Sequence, residues 1–294
     1  MALRDVAIIG AGPAGIAAAI QLKRYGIVPL IFERDSIGGL LKNADIVENY
    51  PGFPHGISGR KLITALGKHL GDSDQTCFEN VIELDFEDNL FSVISTGRTI
   101  QSRIAIVASG TLPVVFSDIS IPVELNDRIF YEIYPIMEEK GKRIAIVGAG
   151  DAAFDYALNL GRKSEVYILN RSDRTSCLPL LRERAEKSDK ISHIKNAVLS
   201  AINTGFDDLL SITYLRDGNE NELRANYLVF AIGRKPAVGF FSDRLNNHKN
   251  RLVTDSLLYM IGDVNNGVFR QTAIAVGDGI KAAMKIAAKL KEIR

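Results

Sequence analysis

The chain has 294 residues, with 36 Lys or Arg against 35 Asp or Glu, and its formal net charge of +1 gives no electrostatic reason to expect a nucleic acid or an anionic membrane as a partner. Apolar residues make up 46% of the chain, and no apolar run reaches the roughly 18 residues that a membrane-spanning helix needs. We therefore expect a globular, cytoplasmic protein with one large domain or two smaller ones.

The first patterned segment, DVAIIGAGPAGIAAAIQLKRYGIVPLIFERD, predicts a strand, a tight turn, a helix and a second strand. Val6–Ile9 is a short continuous apolar run, as expected for a parallel strand that is covered on both faces. In the turn, Gly10 permits the reversal, Gly12 leaves room for a diphosphate, and Gly15 lets the helix lie close to the strand. Glu33 ends the second strand, where a carboxylate can accept hydrogen bonds from ribose hydroxyls. The segment predicts a dinucleotide-binding site.

Short strands are predicted in the segment that follows. NVIELDF and LFSVIST read as strands of a small sheet, and RIAIVASGTLP reads as a strand that ends in a Gly-Thr turn.

A second nucleotide-binding pattern follows in KRIAIVGAGDAAFDYALNLGRKSEVYILNRSDR. Its strands are predicted at Ile144–Val147 and Val166–Leu169. Gly148, Gly150 and Ala153 take the three small positions of the turn. Two complete patterns indicate two nucleotide sites.

The residue after the second strand differs between the two patterns. Asn170 stands where the first pattern has Glu33, and Arg171 and Arg174 follow it. A carboxylate at this position would favour an unphosphorylated ribose and repel a 2′-phosphate, whereas a neighbouring arginine can accept the phosphate. The pattern therefore favours NADPH over NADH. The alternative for the two arginines is a solvated surface turn.

The remaining chain predicts a return to the first domain. DLLSITYLRDGNENELRANYLVFAIGRKP contains two strands joined by a polar turn and a third that ends at Gly233. ASGTLP and AIGRKP both end an apolar strand with glycine and then proline, which is typical of the two crossover segments of an inserted domain. The tail predicts a strand, then Asp263, then a long helix that packs on the first domain.

The two cysteines, Cys77 and Cys177, lie far apart in the sequence. There is no Cys-x-x-Cys motif, and no Cys/His cluster has zinc-like spacing, so we expect no metal site. Packing roles for the two thiols are favoured over a disulfide or a single-cysteine mechanism.

Taken together, these segments resemble a low-molecular-weight thioredoxin reductase nearly end to end. The resemblance rests on GAGPAG, Gly38–Gly39, VENYPGFPHGISG, ASG, GAGDAAFD, AIGRKP and GDVNNGVFRQ. It implies an α/β fold of two Rossmann-like three-layer dinucleotide-binding domains. An FAD domain would span residues 1–114 and 240–294, with an NAD(P) domain at 115–239 inserted into it. It also implies a homodimer.

The resemblance further implies the residues that contact each cofactor. For FAD they are Gly10, Gly12, Pro13, Ala14, Gly15, Glu33, Arg34, Gly39, Leu40, Asn49, Val81, Ser109, Gly110, Asp263, Arg270, Gln271 and Thr272. For NAD(P) they are Gly148, Gly150, Asp151, Ala152, Ala153, Asn170, Arg171, Arg174, Ile232 and Gly233. Asp263 would meet the ribitol chain of FAD. The alternative for Asp263 alone is an acid at a helix entry, but within GDVNNGVFRQ the flavin role is favoured.

The chain departs from that family at three places. The family's redox-active Cys-x-x-Cys falls on Tyr131 and Tyr134, in the stretch YEIY. Tyrosine can neither form a thiolate–flavin adduct nor exchange disulfides. Leu40 stands where the family usually has a glutamine close to the flavin. Ser172 and Ser176 replace two of the three arginines at the family's 2′-phosphate site, which weakens the preference for NADPH.

Two intact nucleotide motifs still predict hydride transfer from NAD(P)H to FAD, and the electrons would then pass directly to an acceptor. The acceptor could be ferredoxin or flavodoxin, a quinone-like small molecule, or dioxygen. The chain is also similar to the ferredoxin–NADP reductase of thioredoxin-reductase type, which lacks the dithiol. The alternative is a non-catalytic sensor, or a subunit of an electron-transfer complex, that binds FAD and NAD(P). Reduction of thioredoxin is disfavoured.

Two surface features leave alternatives open. We expect Tyr131 or Tyr134 to cover the flavin, the alternative being that both fill the interface between the domains. Lys281, Lys285 and Lys289 share one face of the last helix. That face could dock an acidic ferredoxin, but a solvated helix face is favoured.

Overall fold

The structure, a computed structural model, describes residues 2–70 and 76–293, without the side chain of residue 293. The helices in these residues, numbered along the chain, are α1 (Pro13–Arg24), α2 (Gly59–Lys68), α3 (Asp151–Gly161), α4 (Pro179–Glu186), α5 (Asp243–Thr254) and α6 (Thr272–Ile293). The strands are β1 (Ala2–Ile9), β2 (Leu30–Phe32), β3 (Thr76–Cys77), β4 (Val81–Glu87), β5 (Leu90–Ser95), β6 (Thr99–Val107), β7 (Thr111–Pro113), β8 (Ile129–Phe130), β9 (Arg143–Val147), β10 (Glu165–Leu169), β11 (Ile191–Ile194), β12 (Val198–Thr204), β13 (Leu210–Arg216), β14 (Asn219–Ala225), β15 (Tyr227–Phe230), β16 (Arg234–Pro236) and β17 (Leu258–Met260).

The chain folds into two compact units. Unit 1 comprises Met1–Lys42, Ile46–Leu112 and Lys235–Arg294, and unit 2 comprises Asn43–Asp45 and Pro113–Arg234. Strands β7 and β16, which belong to the two crossover segments, pair with each other. Among the described residues, no helix combines the length and the apolar character that crossing a membrane requires.

Unit 1 is built on a seven-stranded sheet with the order β3-β2-β1-β6-β5-β4, in which β17 also pairs with β6. β1, β2, β3, β6 and β17 are joined by parallel pairs, and β4 and β5 extend the sheet with antiparallel pairs. β6 is long enough for both: its residues 99–102 pair with β5 and its residues 105–107 with β17. The strands predicted as a small sheet are therefore an extension of the main one.

The central strands of unit 1 are buried as their apolar runs predict. Val6, Ala7 and Ile8 of β1 are fully buried. After this strand, Gly12 has an extended backbone as the N-cap, and Pro13 opens α1. Pro13 lacks the N–H that would have no partner in the first helical turn, so it fits this position.

A buried acid joins β4 to α5 in unit 1. Ser242 is the N-cap of α5, accepting the Leu245 amide at 3.0 Å, and its hydroxyl also donates to Asp85. Arg244 donates to both carboxylate oxygens of Asp85, which is only 9% exposed. Burial raises the pKa of Asp85, but the hydrogen bonds from Ser242 and Arg244 outweigh it and hold the pKa below its usual value. These hydrogen bonds join the start of α5, where the chain has returned to unit 1, to β4.

Unit 2 is built on a five-stranded sheet with the order β11-β10-β9-β15-β8, in which all pairs are parallel. Helices α3 and α4 contribute to one core on this sheet. The antiparallel strands β12, β13 and β14 form a three-stranded sheet whose buried residues make a second core with β9 and β15. Parallel strands therefore form the whole main sheet of unit 2 and most of the sheet of unit 1, and the predicted α/β fold class is confirmed.

Candidate nucleotide-binding sites

The glycine-rich turn of unit 1 is shaped by close backbone contacts. Gly10 has φ +108°, and a Cβ there would lie 2.3 Å from the Ala108 carbonyl oxygen. A Cβ on Gly15 would lie 2.0 Å from the Gly10 carbonyl oxygen. A Cβ on Gly12 would instead meet nothing within 4 Å. This open space in front of a helix N-terminus fits a diphosphate, which the exposed backbone N–H groups can bind.

Glu33 lies beside this turn and is 8% exposed. Its Oε2 accepts a hydrogen bond from the Ala11 amide at 2.8 Å, and its Oε1 accepts one from the Asp35 amide at 3.0 Å. The two bonds fix the carboxylate against the glycine turn. Since each carboxylate oxygen can accept a further hydrogen bond, Glu33 keeps the capacity to bind ribose hydroxyls.

A cavity of about 350 Å³ opens next to Glu33. Its volume is within the range of sites that hold small molecules and cofactors. Residues from the FAD prediction line it, namely Gly10, Glu33, Arg34, Val81 and Ser109.

Sequence reasoning missed part of this cavity lining. Asn80 and Ile82 flank the predicted Val81, and Phe240 reaches the cavity from the returning chain. The Phe240 carbonyl accepts the Leu84 amide at 2.8 Å. No local sequence pattern signals this contact, because its two residues are distant in the chain.

The first crossover segment is tied to the return segment at the same cavity. The Ser109 hydroxyl donates to the Ala237 carbonyl at 2.7 Å. The Ala237 amide donates to the carbonyl of Gly110 at 3.1 Å. Gly110 has φ +65°, a conformation that favours glycine.

The Gly-Gly pair packs against the glycine-rich turn. The Gly38 amide donates to the Ala11 carbonyl at 2.8 Å. A Cβ on Gly39, whose φ is +56°, would lie 3.6 Å from Gly12 Cα. Leu40 follows in a short 3₁₀ turn. The structure therefore places this predicted segment beside the glycine-rich turn of unit 1, which we call the diphosphate cradle because its open space would fit a diphosphate.

Two predicted FAD residues from distant parts of the sequence also meet. Asn49 Nδ2 donates to Gln271 Oε1 at 2.7 Å. Gln271 and Arg270 immediately precede α6, which begins at Thr272. Asp263 lies in a 3₁₀ turn after β17.

The glycine-rich turn of unit 2 has the same construction as the first. Gly148 has φ +147°, and a Cβ there would lie 2.4 Å from the Ala231 carbonyl oxygen. Gly150 is the N-cap of α3, and a Cβ on Gly150 would lie 3.5 Å from Ser176 Oγ. Ala153 is fully buried at the third small position. The arrangement again leaves a helix N-terminus available to a diphosphate.

The first residues of α3 also hold a neighbouring segment. The Ser176 amide donates to the Ala149 carbonyl at 3.0 Å, and the Leu178 amide donates to Asp151 Oδ1 at 2.7 Å. Ala152, next to Asp151, is exposed. One oxygen of Asp151 is therefore used to fix the segment that runs past the glycine turn.

The loop after β10 is braced by Asn170, which is 3% exposed. Its Nδ2 donates to the Arg174 carbonyl at 2.8 Å, and its Oδ1 accepts the Ser172 amide at 3.3 Å. Arg171 and Arg174 are exposed and form no ion pair with any described residue. The amide of Asn170 thus shapes the loop that carries both arginines.

The two remaining predicted NAD(P) residues, Ile232 and Gly233, lie at the second crossover, at the end of unit 2. Ile232 packs against the second core, and the carbonyl of Gly233 accepts the Val114 amide at 2.9 Å. Gly233 has φ +125°, which favours glycine.

The stretch YEIY is part of the packing of unit 2. The Phe116 amide donates to the Tyr131 hydroxyl at 3.1 Å, and the Tyr131 ring stacks on Phe230 with centroids 5.5 Å apart. Ile133 is fully buried, whereas Tyr134 is 47% exposed. Tyr131 therefore has a structural role within unit 2, and of the two tyrosines Tyr134 has the more accessible ring.

Glu132, between the tyrosines, forms a hydrogen bond and an ion pair that the sequence did not predict. Its Oε2 accepts the Tyr156 hydroxyl at 2.9 Å, and its Oε1 pairs with Arg234. Burial and the Glu132 charge raise the pKa of Tyr156. Glu132 thus joins the stretch to α3 and to the second crossover, contacts that sequence spacing does not reveal.

The two cysteines lie in different units. Cys77 is buried in β3 of unit 1, and Cys177 is partly buried in unit 2. Burial raises the pKa of both thiols, which disfavours the reactive thiolate. Within the described ranges, no group of His, Cys, Asp and Glu side chains could hold a metal ion.

Comparisons with known proteins agree with this construction. The family model for pyridine nucleotide-disulphide oxidoreductases matches residues 4–279. The chain is 31% identical over 298 residues to the bifunctional thioredoxin reductase/thioredoxin of Mycobacterium leprae (strain TN), covering 96% of this chain but only 65% of that protein's length. It is 29% identical over 304 residues to the thioredoxin reductase of Chlamydia pneumoniae, covering 94% of this chain and 96% of that one.

The fold is shared with a solved structure of the same kind. The crystal structure of Lactococcus lactis thioredoxin reductase (FR conformation) matches with a TM-score of 0.85 at 26% identity, covering 98% of this chain and 99% of that chain. The protein therefore belongs to the pyridine nucleotide-disulphide oxidoreductase family and has a thioredoxin reductase-like, two-domain α/β fold.

Proposed function

We propose that the protein is an FAD-dependent NAD(P)H oxidoreductase that works without a redox-active dithiol. In this proposal unit 1 corresponds to the FAD domain predicted at residues 1–114 and 240–294, and unit 2 to the NAD(P) domain predicted at 115–239. Bound FAD supplies the acceptor for the nicotinamide hydride and the donor of electrons to a second substrate. The observation that carries the proposal is two intact glycine cradles in a chain whose cysteines lie in different units.

The residues of unit 1 support the choice of FAD. The open space at Gly12 suits a diphosphate, and Glu33 is fixed where its free lone pairs can accept ribose hydroxyls. The cavity beside Glu33 has room for a nucleoside. Asn49 and Gln271 are held together near the start of α6, in the part of the unit assigned to the flavin.

The stretch YEIY supports direct delivery of electrons to the acceptor. The positions that carry cysteines in related reductases are occupied here by Tyr131, which is hydrogen-bonded and stacked, and by Tyr134. Neither side chain can take electrons by disulfide chemistry. We propose that the exposed Tyr134 ring covers the flavin; unchanged flavin fluorescence and reoxidation in Tyr134→Ala would contradict this role.

The loop braced by Asn170 supports NADPH as the preferred nucleotide over NADH. Arg171 and Arg174 are exposed and have no counter-ion in residues 2–70 and 76–293, so both are available to a 2′-phosphate.

The acceptor is proposed as a class: ferredoxin or flavodoxin, a quinone-like small molecule, or dioxygen. A homodimer in the cytoplasm remains our prediction. Thioredoxin belongs in the same acceptor screen, because two relatives are thioredoxin reductases by name.

The proposal is tested by mixing the purified, FAD-loaded protein with NADPH and with NADH under anaerobic conditions. Rapid bleaching of the visible flavin band by NADPH, followed by reoxidation with one acceptor of the screen, is the expected result. A flavin that neither nucleotide bleaches would contradict the proposal. A flavin that is bleached but that no acceptor reoxidises would favour the alternative of a sensor or a subunit of an electron-transfer complex.

A further inference from the structure

A carboxylate in the second turn of α6 accepts hydrogen bonds from the turn that precedes this helix. Asp278 Oδ2 accepts hydrogen bonds from the Gly262 amide at 3.1 Å and from Asn266 Nδ2 at 2.6 Å. The two donors lie on either side of Asp263 in the sequence. The Asn265 amide donates to the Gly262 carbonyl at 2.9 Å and closes the turn internally. One oxygen of Asp278 therefore bridges both ends of the turn that carries Asp263.

Helix α6 packs closely on α1 at Gly279, the residue after Asp278. A Cβ on Gly279 would lie 2.3 Å from the Ala14 carbonyl oxygen and 2.9 Å from the Ala18 amide nitrogen. The two helix backbones are thus in direct contact beside Asp278. On the turn, Gly262 has φ +71°, and a Cβ there would lie 2.9 Å from Ala14 Cβ. The turn and α6 therefore both pack on the first residues of α1, next to the diphosphate cradle.

The other side of the turn is attached to the sheet. The Ile261 amide donates to the Val107 carbonyl at 3.0 Å, and Val264 is 3% exposed. Asp263 is consequently held between the end of β6, the start of α1 and the Asp278 carboxylate. Because both donors to Asp278 are neutral, the amide oxygen of an asparagine at this position can accept the same two hydrogen bonds, although more weakly than the carboxylate does.

We propose that Asp278 is a positioning residue for the flavin site. Its carboxylate fixes the turn from Gly262 to Asn266 against the N-terminus of α1 and thereby sets the position of Asp263 relative to bound FAD. This inference rests on the proposed FAD site in unit 1. Asp278 itself acts through the turn.

The test compares FAD binding by variants of the full chain. Asp278→Ala removes the acceptor, and Asp278→Asn keeps an oxygen that can accept both hydrogen bonds. We expect Asp278→Ala to weaken FAD binding roughly tenfold and to change the visible circular dichroism of the flavin. Asp278→Asn should bind FAD more tightly than Asp278→Ala and show the wild-type spectrum, because its amide oxygen keeps both hydrogen bonds. Lys281→Ala, an exposed position on the same helix, should leave both unchanged.

Two further variants separate positioning from general destabilisation. Ser242→Ala removes the N-cap of α5 in the same unit and should lower stability without changing FAD affinity. Asn266→Ala removes one donor, and it should weaken FAD binding in the wild-type background but have little effect when combined with Asp278→Ala.

The inference is wrong if Asp278→Ala binds FAD with wild-type affinity and spectrum. It is also wrong if Asp278→Asn is as defective as Asp278→Ala, or if Ser242→Ala weakens FAD binding equally. Wild-type protein that binds no FAD would overturn the proposed function itself. Wild-type protein that binds FAD while Asp278→Ala matches it would overturn only the role of Asp278.

Discussion

The two tyrosines of the stretch YEIY differ in how far their side chains are used for packing. Tyr131 keeps its hydroxyl on the Phe116 amide and its ring on Phe230, so both parts of the side chain are used inside unit 2. Tyr134 has no comparable burial. The two tyrosines should therefore respond differently to substitution.

We predict that Tyr131→Phe lowers the free energy of unfolding by about 1 kcal/mol, because the Phe116 amide loses its acceptor. The matched variant Tyr134→Phe should change stability by less than about 0.5 kcal/mol. Urea denaturation of both variants measures the difference. Equal losses in the two variants would show that the Tyr131 hydroxyl contributes no more to stability than the Tyr134 hydroxyl.

We predict that Arg171 and Arg174 bind the 2′-phosphate of NADPH. The double variant Arg171→Ala/Arg174→Ala should raise the KM for NADPH roughly tenfold and leave the KM for NADH nearly unchanged, because charge-assisted contacts to the 2′-phosphate would be lost. Arg216→Ala, an exposed arginine on β13, is the control. Steady-state kinetics with both nucleotides give the answer. Parallel changes for NADPH and NADH would mean that these arginines do not read the 2′-phosphate.

Among the elements, α6 depends on one glycine for its contact with α1. A Cβ on Gly279 would overlap the α1 backbone, whereas a Cβ on Gly277, two residues earlier, would meet nothing within 4 Å. The same substitution should therefore have opposite effects at these two positions of one helix.

We predict that Gly279→Ala destabilises the protein by at least about 1–3 kcal/mol through overpacking. Gly277→Ala should stabilise it by about 0.5–1 kcal/mol through the higher helix propensity of alanine. Thermal unfolding of the two variants tests both signs at once. Destabilisation by Gly277→Ala, or tolerance of Gly279→Ala, would show that the helix crossing is misplaced.

The hydrogen bonds of Asp85 between β4 and α5 should make the stability of the protein depend on pH. The pKa of Asp85 is lowered in the folded protein. The ionised carboxylate with its hydrogen bonds to Ser242 and Arg244 therefore stabilises the fold fully at pH values above the unfolded Asp pKa of about 4. This stabilisation is lost as the pH falls through the folded pKa. Asp85→Asn should therefore cost about 1 kcal/mol at neutral pH and progressively less on acidification.

Urea midpoints of wild type and Asp85→Asn, measured from neutral pH downwards, check this dependence. Glu83→Gln, on an exposed position of the same strand, is the control and should show no such trend. A cost of Asp85→Asn that stays constant on acidification would contradict the lowered pKa.

Features carried by local patterns could be predicted from the sequence. Both glycine turns, their strands and the start of α1 at Pro13 follow from residue spacing and apolar runs. The pairing of Glu132 with Arg234, and the bridge from Asp278 to Gly262, join residues far apart in the chain. Such contacts are decided by tertiary packing, so no local sequence pattern could have found them.

For the whole molecule, we propose that electrons pass from NADPH to FAD and onward without a protein dithiol. Each unit contains a glycine-rich turn that we propose binds one nucleotide, and the cysteines are divided between the units. A flavoprotein of this kind stores only the electron pair of its flavin, whereas one with a redox-active disulfide stores a second pair.

Electron transfer without a dithiol can be tested by anaerobic titration of the FAD-loaded protein with NADPH. We predict that full bleaching of the flavin requires a single equivalent of NADPH per FAD, because no disulfide competes for electrons. Uptake of a second equivalent would reveal a redox-active disulfide and contradict the account, as would a flavin that NADPH does not reduce.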